Sequence, residues 1–121
     1  KDVDPDFAIY NGDDVMLLPT IMQGAMGLVS GGAQIFGHEI RVIFDAFEAG
    51  ENEKAKETFE PLYRFCKSTG QNGRILPNSI MRAAIEAVSG IKLGNARLPL
   101  APPTDEEMKV TLGILKDIGK I

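Results

Sequence analysis

Two adjacent carboxylates follow a short apolar run near the start of the chain, in the sequence IYNGDD of residues 9–14. Carboxylates at the end of a strand can bind hydroxyl or amino groups of a ligand, and they can also cap a helix. An Asn-Gly pair after apolar residues is typical of a β-hairpin, in which Asp13 and Asp14 would open a second strand. The same residues fit a strand that ends in a tight loop and continues into a helix.

The residues after the turn favour the helix. Residues 13–22, DDVMLLPTIM, are largely apolar but do not alternate, as a half-buried second strand would require. Pro19 has no N–H for a sheet ladder, whereas a proline is tolerated near the first turn of a helix. We therefore predict a strand over Phe7–Tyr10, a loop, and a helix that is capped by Asp13 or Asp14.

A second apolar segment, GLVS at residues 27–30, comes after this helix and is closed by a pair of glycines. Two short strands separated by one helix predict a parallel βαβ unit with a right-handed crossover. Parallel strands that do not alternate are normally covered on both faces. Two such strands cannot build that sheet by themselves, so the sequence predicts that further strands belong beside them.

Beyond Gly32 the apolar periodicity predicts helices to the end of the chain. The first of them is predicted to end at Gly50. Asn52 is predicted to cap the next helix, in which Pro61 is expected to produce a kink. Each of these helices has one apolar face, which is typical of helices packed on a common core.

The last third of the chain has its own start and stop signals. Pro77 is predicted to lie in the first turn of a helix that ends at Gly90. Residues 91–103, IKLGNARLPLAPP, are predicted to be extended. The sequence TDEE at residues 104–107 is typical of a capping box, so we expect a last helix to begin there.

The length, net charge and cysteine count limit the class of protein to which the chain can belong. The chain has 121 residues and a net charge of −4, which fits one domain or a piece of one and offers no basic surface for nucleic acid. Cys66 is the only cysteine, so no intramolecular disulfide can form and a cytoplasmic location is expected. No membrane span or signal peptide is expected, and a chain that opens on Lys1 suggests that the true N-terminus lies elsewhere.

Four stretches occur in an order that points to one family: IYNGDD, GAMGLVSGGAQ, FEAGENEKAKE and ARLPLAPPTDEE. With these motifs the chain resembles the C-terminal half of the dihydrodipicolinate synthase / N-acetylneuraminate lyase family, which are pyruvate-dependent class I aldolases. The resemblance implies an α/β fold, the C-terminal part of a (β/α)8 TIM barrel. Residues 1–50 would hold its last two βα units, with strands at Phe7–Tyr10 and Leu28–Ser30, and residues 51–121 a C-terminal helical extension.

The resemblance also implies the reaction. In the family a lysine on the sixth strand forms a Schiff base with pyruvate, and a tyrosine on an earlier strand relays protons. No lysine or tyrosine of this chain matches those positions, so we assign no catalytic residue and expect the chain alone to be inactive. The intact enzyme would join pyruvate or another 2-keto acid to an aldehyde, or run the cleavage, as a homo-oligomer without metal or organic cofactor.

The resemblance places several residues on the substrate side of the barrel. The loop after the first strand would contact ligand, and Val29 would contribute a backbone carbonyl near the Schiff-base nitrogen. The residues so assigned are Gly12, Asp13, Asp14, Val29, Ser30 and Gly31. Helix capping alone for the two aspartates, and ordinary strand packing for Val29, are the alternatives that the residues themselves leave open.

Two substitutions leave the substrate class open. Members that cleave sialic acid tend to carry an acidic residue where this chain has Val15, and synthases commonly have Asn where Gln34 stands. Sugar-acid aldolases are therefore also compatible. His38, the only histidine, is expected at the surface or in a cap. The alternative function is a non-catalytic half-barrel that dimerises or docks onto an N-terminal half supplied by another chain.

Overall fold

The computed structural model describes residue 4, residues 6–69 and residues 78–121. Lys1 and Pro77, and with Pro77 the predicted helix start, lie outside the described residues. The described elements, in chain order, are β1 (Tyr10–Asn11), a 3-10 turn (Asp14–Met16), α1 (Leu17–Met22), β2 (Gly27–Leu28), α2 (Ala33–Glu48), α3 (Asn52–Thr69), α4 (Asn78–Ser89) and α5 (Asp105–Asp117).

Strands β1 and β2 pair in parallel, as predicted, with Tyr10 opposite Gly27. Two further hydrogen bonds flank the pair: the Met26 amide donates to the Ile9 carbonyl and the Val29 amide to the Asn11 carbonyl, both at 2.8 Å. The predicted strand bounds were wrong, because regular pairing covers only two residues of each strand. Each strand has a single described neighbour, and a ladder with one partner is easily shortened at its ends.

The helix bounds follow the sequence signals with one exception. Helix α2 ends before Gly50, which has the positive φ of +76° that glycine tolerates best. Helix α3 begins at Asn52 itself, and the Ala55 amide bonds to the Glu51 carbonyl, so the predicted Asn52 cap was one residue too late. A kink was predicted at Pro61, which lies inside α3. The non-helical torsions occur at Phe36 in α2 (φ −115°, ψ 21°).

The predicted capping box at the start of α5 is confirmed. The Thr104 hydroxyl accepts the Glu107 amide at 3.2 Å, and the Glu107 carboxylate accepts the Thr104 amide at 2.8 Å. These two bonds satisfy amides that the first turn of a helix leaves without partners. The extended segment before Thr104 therefore stops where α5 begins.

The core lies between α2 and α3 and is completed by buried residues of the other helices. Phe36 and Phe65 are fully buried, with ring centroids 5.4 Å apart and planes tilted by 48°. Leu17 of α1, Ala84 of α4 and Leu115 of α5 are also fully buried against this cluster. The helices thus form a packed support for the two strands.

The strands present an open apolar flank. Five residues on or next to the strands make up this flank, and each is more than half exposed: Phe7 64%, Ile9 54%, Tyr10 62%, Met26 66% and Val29 72%. Hydrophobic side chains gathered on neighbouring strands are normally covered, because burying apolar surface is the main favourable contribution to folding. No described element buries these residues, which agrees with the expectation that further strands belong beside the pair.

The C-terminus is held on α2 by an ion pair. The Lys120 ammonium donates to Glu39 Oε1 and lies 5.0 Å from the centroid of the Phe36 ring. Burial pushes the pKa of Glu39 upward, but the hydrogen bond from Lys120, a backbone hydrogen bond and the charge of Lys120 together outweigh burial and hold the pKa below its ordinary value. Glu39 therefore stays ionised and depends on Lys120 for compensation.

Lys120→Met should lower the free energy of unfolding by about 1 kcal/mol near neutral pH, because it leaves the half-buried Glu39 carboxylate without its partner. Because the folded pKa of Glu39 is depressed, the stabilisation is present above its unfolded pKa and is lost as the pH falls through the folded pKa. The loss should therefore shrink towards about pH 3, measured by urea unfolding.

Lys116→Met is the matched control. It removes the same charge from an exposed position of α5 whose ammonium makes no ion pair with a described residue. An equal loss in both variants at both pH values would contradict the role given to the Lys120–Glu39 pair.

Candidate functional site

The loops that follow β1 and β2 lie side by side, because the two strands run in parallel and end at the same edge. The bond from the Val29 amide to the Asn11 carbonyl joins the residue after β2 to the last residue of β1. Carboxyl ends of parallel strands are where α/β proteins place their binding sites. Residues 11–14 and 29–32, here called the strand-end rim, are therefore the candidate site.

Asp13 closes the first loop of the rim on itself. Its carboxylate accepts the Val15 amide at 3.0 Å and so caps the 3-10 turn. The Asn11 side chain accepts the Asp13 amide at 3.0 Å and donates to the Asp13 carbonyl at 2.6 Å. Of the two predicted caps, Asp13 is the one that makes a capping bond, but it caps the 3-10 turn. The prediction that it caps the helix was wrong, because α1 begins after Met16, which makes no side-chain capping bond.

Asp14 instead reaches across to the second loop. Its Oδ1 accepts a hydrogen bond from the Ser30 hydroxyl, and its Oδ2 accepts the Gly32 amide at 3.0 Å. The Ser30 oxygen in turn accepts the Ala33 amide at 2.7 Å, which satisfies a donor in the first turn of α2. We call this set of bonds the Asp14 bridge, and it fixes the two halves of the rim relative to each other.

Gly32 is needed for this close approach. A Cβ placed on Gly32 would lie 3.0 Å from Cδ1 of Leu62 and 3.2 Å from both Cγ and Oδ2 of Asp14. Leu62 is fully buried in α3, so it has little room to move away. By contrast, a Cβ on Gly31 would meet only Asp14 Oδ2 at 4.0 Å, and one on Gly12 would meet nothing within 4 Å.

The remaining predicted site residues lie at the solvent side of the rim. Gly12, Asp13, Val29 and Gly31 are exposed, while Asp14 and Ser30 are half-buried. The structure thus brings all six predicted residues to one edge of the molecule. It joins Asp14 to Ser30 directly and leaves the others open to solvent or to a ligand.

Cys66 lies in α3 behind the rim. Burial raises the pKa of the Cys66 thiol to about 12, and the negative charges of Asp14 and Asp13 add to the effect. A thiol with this pKa is protonated at neutral pH, and the thiolate is the nucleophilic form. Cys66 is therefore a packing residue of the support.

Two further classes of site are not formed by the described residues. Residues 4, 6–69 and 78–121 contain no group of three or more His, Cys, Asp or Glu side chains arranged to hold a metal ion. Within the same ranges no helix combines the length and apolarity needed to cross a membrane. His38 lies exposed on α2, as expected.

Comparison with known proteins decides the family. The model of the dihydrodipicolinate synthetase family matches residues 1–118. The chain belongs to this family. It is 35% identical over 116 residues to the 4-hydroxy-tetrahydrodipicolinate synthase of Synechococcus elongatus, and the alignment covers 95% of this chain and 38% of that protein. The chain therefore spans about two-fifths of the length of the curated relatives it matches.

Solved structures of the dihydrodipicolinate synthetase family have the same fold over this part. The enzyme from Bacillus anthracis matches with a TM-score of 0.84 and 34% identity, over 94% of this chain and 38% of that one. The enzyme from Cyanidioschyzon merolae matches with a TM-score of 0.87 and 27% identity, over 98% and 39%. The βα units and helices described above are consistent with part of the barrel of this family.

Sequence reasoning located the rim but missed what supports it. The bond between Asp14 and Ser30 spans sixteen positions of the sequence, as does any contact across a βα crossover. The sequence did contain a signal for this bond. The ends of parallel strands lie side by side, and a polar residue follows each strand, Asp14 after the first and Ser30 after the second. No comparable signal indicated that Leu62 would lie against Gly32.

Gly32→Ala should lower the free energy of unfolding by about 1–3 kcal/mol, because the added methyl group must displace Leu62 or break the Asp14 bridge. Urea unfolding followed by circular dichroism measures the change. Gly37→Ala is the control: Gly37 lies in α2 with nothing within 4 Å of the added Cβ. It should be neutral or stabilising by up to about 1 kcal/mol, and equal behaviour of the two variants would contradict the close-approach argument.

Proposed function

We propose that this chain is the C-terminal part of a pyruvate-dependent aldolase or lyase that works through a Schiff base. The observation that carries the proposal is the strand-end rim, held by the Asp14 bridge at the edge of a parallel pair whose other side is open. Membership of the family, and the name of the curated relatives, 4-hydroxy-tetrahydrodipicolinate synthase, support a carbon–carbon bond reaction.

In this proposal the rim is one wall of the substrate pocket. The Asp14 bridge holds the backbone from Ser30 to Gly32, and the Val29 amide is held by Asn11, so the Val29 carbonyl is fixed between two anchored points. A fixed carbonyl can accept a hydrogen bond from a protonated Schiff-base nitrogen. Gly12 and Gly31 leave room for a ligand, because neither carries a side chain at the surface of the rim.

Asp13 and Asp14 would act differently in that wall. The Asp14 oxygens already hold the second loop, but a carboxylate offers about four lone-pair sites and can accept a further bond from a ligand hydroxyl. Asp13 uses Oδ1 as a cap and is exposed, so its other oxygen faces solvent or ligand. Both aspartates would thus bind substrate while keeping their structural bonds.

The nucleophilic lysine would come from the part of the protein that this chain does not span. A Schiff base forms when a neutral lysine amine attacks the carbonyl of pyruvate and water leaves. An amine that is neutral near pH 7 needs a lowered pKa, which a dry pocket or a neighbouring cation provides. The described lysines lie on α3, on α5, between α4 and α5, or at the C-terminus. None belongs to the rim, and none is fully buried.

The proposal includes the setting of the enzyme. The intact protein would use pyruvate or another 2-keto acid with an aldehyde, need no metal or organic cofactor, and act in the cytoplasm as a homo-oligomer. The open flank gives a second candidate function, because an exposed apolar sheet face can also serve assembly. In that case the chain is a non-catalytic half-barrel that pairs with another polypeptide.

Pyruvate and borohydride distinguish the two. Borohydride delivers hydride to the C=N bond and converts a Schiff base into a stable secondary amine. The 121-residue chain alone should show no adduct by mass spectrometry. The polypeptide that also includes the sequence encoded directly upstream of Lys1 should gain one reduced pyruvate, on a lysine of the upstream part.

Two outcomes would contradict the proposal. A single-site adduct on a lysine of the 121-residue chain would place the nucleophile here instead. A start codon and a terminator that flank only this region, with no adduct in any mixture, would favour the assembly module. Omission of pyruvate is the control for non-specific reduction.

A further inference from the structure

Helix α2 is kinked one turn after the strand-end rim. The torsions of Phe36 are non-helical, so a first turn at residues 33–36 and the body of the helix are two pieces joined at this residue. A kink has an identifiable cause, which is most often a proline, but α2 contains none. Gly37, the next residue, makes the backbone easier to bend without selecting a direction. Contacts from outside the helix must therefore set the angle between the two pieces.

The first turn carries the bonds that hold the second half of the rim. The Gly32 carbonyl accepts the Phe36 amide at 2.9 Å, and the Gly32 amide donates to Oδ2 of Asp14 at 3.0 Å. The Ala33 amide donates to the Ser30 oxygen at 2.7 Å. A change in the direction of the first turn would therefore move the groups that the Asp14 bridge binds.

Lys120 contacts both pieces of α2. On the rim side of Gly37, its ammonium lies 5.0 Å from the centroid of the Phe36 ring. On the other side it donates to Oε1 of Glu39, whose Oε2 is buried and makes no hydrogen bond with any residue that the structure describes. Contacts of a cation with a ring and with a carboxylate are both stronger away from water, and the Lys120 side chain is only 21% exposed. One ammonium thus ties the two pieces together across the kink.

The backbone of Lys120 is fixed to the core by the end of α5. Its amide donates to the Leu115 carbonyl at 2.8 Å, and the Gly119 amide donates to the Lys116 carbonyl at 3.0 Å. Together with the positive φ of Gly119, +72°, these two bonds form a Schellman motif. Leu115 is fully buried in the core. The ammonium of Lys120 therefore reaches α2 from a backbone that is anchored in the core.

We propose that Lys120 is a positioning residue for the strand-end rim. By holding Phe36 and Glu39 on the two sides of the kink, it sets the direction of the first turn of α2 and so the position of the backbone from Ser30 to Gly32. This inference rests on the proposed function for its meaning in catalysis. The effect of Lys120 on the position of the rim can be measured without it.

Solution NMR of the 121-residue chain tests the positioning. In Lys120→Met, backbone residual dipolar couplings should show that residues 33–36 turn by about 10° or more relative to residues 38–48, a change large enough to disturb a site. The Gly32 amide proton should shift upfield as its bond to the carboxylate weakens. Lys120→Arg should keep the native values, because a guanidinium can both contact a ring and bind a carboxylate. Lys116→Met, the exposed control, should change neither measurement.

The couplings and shifts of the native state do not respond to a loss of global stability, so they separate positioning from stabilisation. Glu39→Gln, which weakens the same pair from α2, should change both measurements in the same direction and by less. Unchanged couplings with an unchanged Gly32 shift in Lys120→Met, or equal changes in Lys116→Met, would overturn the inference.

A catalytic arm uses the polypeptide that includes the upstream sequence. The Val29 carbonyl is proposed to bind the protonated Schiff-base nitrogen, an interaction that exists only after pyruvate has reacted. Lys120→Met should therefore lower kcat about tenfold and leave KM for pyruvate nearly unchanged, while Lys120→Arg keeps most of the activity. A rise in KM alone, or full activity in Lys120→Met, would also overturn the inference. A polypeptide without substitutions that forms no Schiff base contradicts the proposed function, and the NMR result then still decides the positioning.

Discussion

The Asp14 bridge is the interaction on which the rest of the site depends. Two strands of two paired residues each cannot hold their end loops in register by backbone bonds alone. A single carboxylate takes over that task by accepting one bond from a side chain and one from a backbone amide of the second loop. Because the Ser30 oxygen also accepts the Ala33 amide, the bridge connects the rim and the strand pair to the first turn of α2.

The support behind the rim explains why this bridge is held in place. Helix α3 lies directly behind the loops, with Leu62 against Gly32 and with Cys66 close enough for its pKa to respond to Asp14. The side of the bridge that faces α3 is therefore packed against buried side chains. The other side is open at Gly12, Val29 and Gly31, which is the side where a ligand can enter.

Much of the architecture was predictable because its signals are local. The helix stop at Gly50 and the capping box at Thr104 each depend on a few adjacent residues, and both were found where the sequence placed them. The parallel pairing followed from the loss of alternation after Asn11. The family followed from motifs whose order, more than any one of them, is specific.

The errors and omissions come from contacts that the sequence does not encode locally. The length of β1 and β2 depends on how many neighbours each strand has, and the irregular turn at Phe36 arises in a helix that contains no proline. Arg82 and Glu86 hydrogen-bond to the backbone of residues 93–94 and so join α4 to a loop that has no periodic pattern. Such contacts depend on tertiary packing, which outweighs local preference.

If the strands belong to a larger barrel, their open flank must be covered in the intact protein. Hydrogen exchange measured by mass spectrometry on the 121-residue chain, with and without the upstream polypeptide, tests this directly. Peptides that contain β1 and β2 should gain protection when the upstream part is present, while peptides from α5 should not change. Equal exchange of β1 and β2 in both samples would contradict the claim that these strands belong to a larger barrel.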